Sequence, residues 1–213
     1  MENDIVFLVT VPHGGCNSNT AFKRTCDRRA IEAAEMIKKT MESFYRESLY
    51  NKTLFYENET IERSDYDLNR KWSRGNPWRV ELREVMQKNK KSLMLVLDVH
   101  SFPQEHFKKG CRIAILDDVP VNTNTKEFGR YASICFQKLS YAFNRDKIRP
   151  FVRLMNGITN DIQDQTQSLG IQSFLIEFAE EDYLLTETEL KESCNIICDV
   201  LMRIKEGYYN INI

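Results

Sequence analysis

The strongest structural signal in the sequence is one apolar stretch, Leu93-Met94-Leu95-Val96-Leu97-Asp98-Val99, which ends at His100-Ser101. An apolar run without alternating polar residues is typical of a strand that is buried on both faces of a parallel sheet. Asp98 and His100 are separated by one residue, so on a strand they point to the same face. The stretch therefore predicts a central strand that carries a carboxylate and an imidazole at its end.

Strand-like and helix-like segments alternate around this stretch. A second buried strand is expected at Ile5–Val11, and helical spacing of apolar residues begins at Asp27, which suits the start of a helix. Further strands are expected at 53–56, 112–116 and 173–178, and further helices at 77–91, 126–143 and 186–205. In the helix that starts at Pro77, the inward residues are expected to be Val80, Val85 and Met86. This alternation predicts an α/β fold of three layers with a central mixed, largely parallel sheet.

The composition is that of a globular chain and excludes several classes of function. The 213 residues are 42% hydrophobic and contain no repeat or linker, so a single domain over 1–213 is expected. Thirty basic and 31 acidic residues leave a net charge of -1, which gives no basic field for nucleic acid. No apolar run is long enough to span a membrane. The acidic N-terminus, Met1–Asp4, is unlike a secretory signal, so a cytoplasmic location is expected.

The cysteines are expected to be reduced. Six of them are spread over the chain, at 16, 26, 111, 135, 194 and 198. An even number permits three disulfides, but the spacing is wide and a secretory signal is absent. Cys194 and Cys198 could meet on one helix face as a metal or redox pair, although buried small hydrophobic residues are the expected interpretation.

Two of the three histidines follow predicted buried strands directly. These are His13 and His100, and in α/β sheets ligands gather beyond the carboxyl ends of the strands. Imidazole is the commonest protein ligand of zinc, so the pair indicates a metal site, although a lone histidine here would more often be structural. The two glycines in Pro12–Gly15 would let the backbone approach a bound ion. The third histidine, His106, could reach this site or be an ordinary loop residue.

Two carboxylates lie at the ends of predicted strands. Asp98 could fix the tautomer of a metal-binding His100, or it could cap local backbone. Glu177 interrupts an apolar strand, and burial of an unpaired carboxylate raises its pKa. Near a metal, Glu177 would suit a general base that deprotonates water, and the alternative is a buried salt bridge.

A loop segment, Asp67-Leu68-Asn69-Arg70, presents an amide and a guanidinium side by side. Arginine binds a carboxylate through two parallel hydrogen bonds, and Arg63 lies shortly before this segment. The segment could therefore hold an acidic substrate, or it could be a surface loop with salt bridges.

These segments together resemble a known family. Val11–Gly15, Arg63-Ser64 followed by Asp67–Arg70, Asp98–Phe102 and Ile176–Phe178 occur in this order over about residues 5 to 180. The set resembles the N-formylglutamate amidohydrolase family and, more distantly, the zinc carboxypeptidases, in which a DLNR segment and a strand ending in His-Ser recur. The resemblance implies a carboxypeptidase-like (phosphorylase/hydrolase-like) fold and a Zn²⁺ cofactor.

The resemblance also implies the metal ligands. His13 and His100 would bind zinc. Carboxypeptidases carry a glutamate three residues after the first histidine, where this chain has Cys16. The amidohydrolase family instead has an acidic residue further downstream, before a helix, which Asp27 matches. Asp27 is the preferred third ligand, and a Cys16 thiolate is the alternative.

The remaining roles follow from the same resemblance. Glu177 would be the catalytic base, Asn69 and Arg70 would hold a substrate carboxylate, and Arg63 would bind that carboxylate or polarise the scissile carbonyl. The expected activity is cleavage of the amide bond of an N-acylated amino acid, such as N-formylglutamate, by metal-activated water. The alternatives are a zinc carboxypeptidase or deglutamylase acting on peptide C-termini, and an inactive binding domain on the same fold.

Overall fold

The computed structural model describes residues 4–16, 26–63, 65–89, 92–103, 111–118, 123–145, 151–156, 160–180 and 184–211. Within these residues the strands are β1 (Ile5–Val11), β2 (Thr53–Glu57), β3 (Leu93–Phe102), β4 (Cys111–Asp118), β5 (Phe151–Asn156) and β6 (Gln172–Ala179). The α-helices are α1 (Arg28–Phe44), α2 (Pro77–Lys88), α3 (Thr123–Arg145), α4 (Asp161–Ser168) and α5 (Glu187–Ile211). Short 3-10 helices cover Tyr50–Lys52 and Lys71–Gly75.

The six strands form one mixed sheet in the order β2-β1-β3-β6-β4-β5. Strands β2, β1, β3 and β6 are parallel to one another, whereas β4 is antiparallel to β6 and parallel to β5. The carboxyl ends of β1, β3 and β6 therefore meet side by side at one edge. The predicted α/β architecture with a mixed, largely parallel sheet is confirmed.

Helices cover both faces of this sheet and make it the middle of three layers. On one face Leu95 and Leu97 of β3 pack into a core with Ala33 and Ile37 of α1 and with Leu201 of α5. On the other face the core is built by residues of β1, β3, α2 and α4, including Leu8, Val96, Leu82, Met86 and Ile162. Among the helices of the described segments, none is both long enough and apolar enough to cross a membrane.

The sequence prediction is wrong about one face of α2 and incomplete between α3 and β6. Val80 was expected to point inward but is 42% exposed, because the buried face of α2 is formed by Arg79, Leu82 and Met86. The sequence signalled neither β5 nor α4. Helix α4 has only one core apolar residue, Ile162, and buries polar side chains instead, so its apolar periodicity is weak.

The prediction of reduced cysteines is wrong for one pair. Cys16 and Cys26 form a disulfide with their Cα atoms 5.2 Å apart. The fold brings them together because the Asp27 amide donates to the His13 carbonyl at 2.8 Å, which joins the end of β1 to the start of α1. Cys16 is therefore engaged in a disulfide and offers no thiolate to a metal. Cys194 and Cys198 are buried thiols in the core, as expected.

A buried ion pair ties α2 to the start of α4. The guanidinium of Arg79 is fully buried, and its Nη2 donates to Asp161 Oδ2 at 2.8 Å and to Gln165 Oε1 at 2.9 Å. Arg74 pairs with the same carboxylate, with Nη2 to Oδ1 at 2.7 Å. Burial alone would raise the pKa of Asp161, but the hydrogen bonds from Arg74 and Arg79 lower it.

Replacing Asp161 by asparagine is expected to destabilise the fold by about 3–5 kcal/mol, because it leaves the buried charge of Arg79 without a counter-charge. The matched control is Arg74→Gln, which removes the partner whose side chain is 42% exposed. That change is expected to cost less than about 1 kcal/mol. Urea unfolding of both variants measures the difference, and equal losses would contradict this account of the pair.

Candidate metal centre

The side chains predicted to be functional gather at the edge where β1, β3 and β6 end. His13 follows β1, and His100 lies near the end of β3. Asp27 directly precedes α1, but its side chain makes no capping hydrogen bond to that helix. Its carboxylate turns instead toward the two imidazoles, so a residue expected at a helix start also serves the site.

His13, Asp27 and His100 form a buried triad. Asp27 Oδ2 lies 3.2 Å from His13 Nδ1 and 3.2 Å from His100 Nδ1. The potential ligand atoms of the triad all lie within 4.8 Å of one another. The structure therefore brings together the three residues for which metal binding was predicted.

A second carboxylate lies behind each imidazole. His13 Nε2 is 2.9 Å from Asp67 Oδ1, and His100 Nε2 is 3.1 Å from Asp98 Oδ2. Each carboxylate can hold the proton of its ring on Nε2, which leaves the Nδ1 lone pair for a metal. The contact expected between Asp98 and His100 is present. Asp67 is a contact that the sequence interpretation missed, although the DLNR segment that contains it was recognised.

The charges of this cluster shift the protonation of its members. Burial lowers the pKa of His100, but the charge of Asp98 and hydrogen bonds to Asp27 and Asp98 outweigh it and raise the pKa to about 10. Burial would raise the pKa of Asp27, yet hydrogen bonds and charge from both imidazoles hold it well below its usual range. Burial would also raise the pKa values of Asp67 and Asp98. Hydrogen bonds and charge, chiefly from His13 for Asp67 and from His100 for Asp98, outweigh burial and lower both pKa values.

The donor set fits a divalent transition metal. Two imidazole nitrogens and one carboxylate oxygen converge, and this is a common set for zinc or iron(II). The three aspartates around the two imidazoles supply excess negative charge, which a cation at the Nδ1 atoms would neutralise. The buried Asn69 Oδ1, next to the triad, has no hydrogen-bond partner among the described residues and is available to a ligand.

The predicted substrate-binding residues lie beside the triad. Arg63 Nη1 is 3.2 Å from Asp27 Oδ1, and Arg70 Nε is 3.0 Å from Asp67 Oδ2. Asn69 Nδ2 is 3.5 Å from His100 Nε2. The side chain of Arg70 is 60% exposed, so this cation faces solvent on the outer side of the cluster.

Glu177 lies beside His100 in the sheet. The Cα atoms of the two residues are register partners in the parallel pair β3 and β6, so both side chains leave the same face. On the other side its neighbour in β4 is the small Ala114. Burial raises the pKa of Glu177 to about 7, with the charges of Asp27 and Asp98 adding to the effect and those of His100 and Arg63 opposing it.

The glycines after His13 lie close to the backbone that follows β2. A Cβ atom on Gly14 would lie 2.5 Å from the Asn58 carbonyl oxygen, and one on Gly15 would lie 2.4 Å from the Ile61 carbonyl oxygen. The glycines thus make room for the backbone that follows β2. His106 lies outside the described residues.

Comparison with known proteins identifies the fold. Neither a protein-family model nor a curated protein matches the chain. The structure is similar to a metallo-carboxypeptidase from Burkholderia cenocepacia, with a TM-score of 0.63 and 11% identity over 98% of this chain and 58% of that one. It is also similar to the N-acetylmuramyl-L-alanine amidase Ami1 from Mycobacterium smegmatis, with a TM-score of 0.57 and 9% identity over 97% and 98% of the two chains.

A third similar structure is the CwlD amidase from Clostridioides difficile, solved in complex with the GerS lipoprotein. Its TM-score is 0.51 and its identity 15%, over 98% of this chain and 100% of that one. At such identities the likeness concerns the fold, and it confirms the predicted carboxypeptidase-like architecture. The chain spans only 58% of the length of the carboxypeptidase.

Removal of either an imidazole or the carboxylate of the triad is expected to abolish metal binding. Wild-type protein, loaded with excess zinc and desalted, should retain one zinc ion per chain, whereas His100→Ala and Asp27→Ala should retain none. The control is Asp164→Asn, which changes an exposed carboxylate on α4. Elemental mass spectrometry measures the zinc content. Retention of zinc by both ligand variants would contradict the assignment of the triad.

Proposed function

We propose that this chain is a zinc-dependent hydrolase that cleaves an amide bond. The observation that carries the proposal is the buried convergence of His13, Asp27 and His100, with a carboxylate behind each imidazole. When bound, zinc supplies a Lewis acid that activates water and polarises a carbonyl oxygen. The fold that the chain shares with a metallo-carboxypeptidase and with two amidases agrees with this chemistry.

Glu177 is the general base of the proposed reaction. It takes a proton from the attacking water and delivers it to the leaving nitrogen. Its register position beside His100 supports this role, and so does a pKa of about 7, which lets the carboxylate accept and release a proton near neutral pH.

Arg63, Asn69 and Arg70 bind the substrate. The exposed Arg70 holds a substrate carboxylate, and Asn69 Nδ2 can donate to the same group. Asn69 Oδ1, which lacks a hydrogen-bond partner in the part of the chain that the structure describes, can accept a hydrogen bond from a substrate N–H. Arg63 stabilises negative charge on the carbonyl oxygen or shares the substrate carboxylate, and its contact with Asp27 supports this role.

The substrate that we propose is an N-acylated amino acid of the N-formylglutamate type. The order of the sequence segments and the two arginines beside the triad support it. A peptide C-terminus, as in a carboxypeptidase or deglutamylase, offers the same free carboxylate. An assay series therefore includes N-formylglutamate and peptides ending in glutamate. It also includes a muramoyl peptide, because one of the similar structures is an N-acetylmuramyl-L-alanine amidase. An inactive binding domain would bind zinc and turn over none of them.

Glu177→Gln is expected to lower turnover by about 10²–10⁴-fold, because the amide cannot take a proton from water. Zinc content should stay at the wild-type level. In the wild type, kcat/KM should rise with pH through a limb at or below about 7, because Glu177 acts in its ionised form and a nearby cation lowers its pKa further. Steady-state rates measured from about pH 5 to about pH 9 give both the turnover of the variant and the pH dependence of the wild type.

The control for this substitution is Glu187→Gln, which changes an exposed carboxylate on α5 and should leave both the rate and the pH profile unchanged. Wild-type turnover by Glu177→Gln, or persistence of the acid limb in that variant, would contradict the role of Glu177 as base.

Arg70→Met is expected to lower kcat/KM for a substrate with a free carboxylate by about 10- to 100-fold, the effect of one charge-assisted hydrogen bond. The same substrate with its carboxylate converted to an amide should be processed equally by variant and wild type. Arg74→Gln provides the control, since Arg74 pairs with Asp161 rather than with a residue of the triad or with Asp67. Equal losses on both substrates would show that Arg70 does not recognise the carboxylate.

A further inference from the structure

Asn160 is the residue that precedes α4. Its side chain makes two hydrogen bonds of different kinds, one through each of its two polar atoms. Its Oδ1 accepts from the Gln163 amide at 2.8 Å and so caps the helix. Its Nδ2 donates to Asp98 Oδ2 at 2.6 Å. The first contact belongs to the helix, whereas the second reaches the carboxylate behind His100.

Asp98 is completely buried, and each of its oxygens has a donor. Thr10 Oγ1 donates to Oδ1 at 2.7 Å, while Asn160 Nδ2 and His100 Nε2 both lie on Oδ2. Because the side-chain amide of Asn160 and the imidazole of His100 share Asp98 Oδ2, the Asn160 amide helps to fix the position of this oxygen relative to the imidazole. Thr10 acts on the other oxygen and cannot substitute for it.

The position of Asn160 is itself fixed by its neighbours. The backbone N–H of Asn160 contacts Gln163 Oε1 at 3.4 Å, and Gln163 Nε2 donates to the Leu116 carbonyl at 3.3 Å. The next residue, Asp161, is held by the buried ion pair with Arg79. The start of α4 is therefore anchored to α2 through Asp161 and to β4 through Gln163, and the Asn160 side chain presents its Nδ2 from a fixed point.

We propose that Asn160 is a positioning residue of the metal centre: it holds Asp98 so that His100 directs Nδ1 toward the metal. The inference rests on the proposed function. Among the described residues, the Asn160 side chain forms hydrogen bonds with Gln163 and Asp98 and none with the triad, so it acts on His100 through Asp98. Partners of this kind behind a metal ligand contribute about 10- to 100-fold to metal affinity.

Asparagine meets both requirements at this position, an acceptor for the cap and a donor for Asp98. Aspartate caps a helix equally well but would set a second carboxylate against Asp98. Serine also caps, but its shorter side chain has one polar atom and no second atom at the position from which Nδ2 reaches Asp98. The two substitutions therefore remove the Nδ2 donor to Asp98 while they keep an acceptor for α4.

The test measures zinc affinity by competition with a chromophoric chelator. Asn160→Asp and Asn160→Ser are expected to bind zinc about 10- to 100-fold more weakly than the wild type. The matched control is Gln163→Ala, which weakens the capping box and leaves every donor to Asp98 in place. Its zinc affinity should stay closer to that of the wild type than to that of the Asn160 variants, because the Asp161–Arg79 ion pair still anchors the start of α4. Urea unfolding should show it to be less stable than the wild type.

A second readout does not need zinc. In metal-free protein the ¹H–¹⁵N spectrum of the imidazoles should show a hydrogen-bonded Nε2–H signal for His100. That signal should shift or disappear in both Asn160 variants and persist in Gln163→Ala. A structural effect of the helix cap alone would not produce this pattern.

The inference is overturned by Asn160 variants that bind zinc as tightly as the wild type and keep its His100 signal. It is also overturned if Gln163→Ala loses as much affinity as they do, since Asn160 would then act only through the helix cap. A folded wild-type protein that binds no zinc overturns the proposed function instead, and the His100 signal then decides whether Asn160 positions the ring.

Discussion

The carboxylate of Asp27 is the contact on which the arrangement of the site depends. One oxygen faces His13 and His100 and also accepts from the Ser101 amide at 3.3 Å, while the other faces Arg63. These groups come from segments far apart in the sequence, so the carboxylate can meet them only if β1, β3 and α1 end or begin at one place. The backbone hydrogen bond between Asp27 and His13 and the Cys16–Cys26 disulfide beside it hold the end of β1 and the start of α1 together.

Burial of so many charges requires a partner for each of them. An unpaired buried charge costs several kcal/mol, so the layer of α2 and α4 carries polar groups as well as a core. Arg79 and Asp161 neutralise each other between these helices, and Asn160 extends the network to Asp98. The same contacts that stabilise the α2–α4 layer thus hold His100 in place. Folding stability and the proposed metal binding therefore depend on one connected set of side chains.

Much of the fold and of the triad could be predicted from the sequence, because buried parallel strands leave continuous apolar runs and their carboxyl ends share one edge. That rule placed His13, His100 and Glu177 together. It could not reveal α4, whose buried face is largely polar, nor Asn160, whose role depends on a contact with distant Asp98. The Cys16–Cys26 disulfide was also missed, because local spacing does not show that the segments on either side of residues 17–25 meet. Val80 was misplaced because a paired arginine occupies the buried face of its helix.

The most direct measurement is a crystal structure of the zinc-loaded protein, with diffraction data collected on both sides of the zinc absorption edge. We expect an anomalous difference peak bounded by Nδ1 of His13, Nδ1 of His100 and the carboxylate of Asp27. Asp67 and Asp98 should remain on the Nε2 atoms of the two rings. A zinc peak bound by other residues, or the absence of a peak at the triad in a well-folded crystal, would contradict the account.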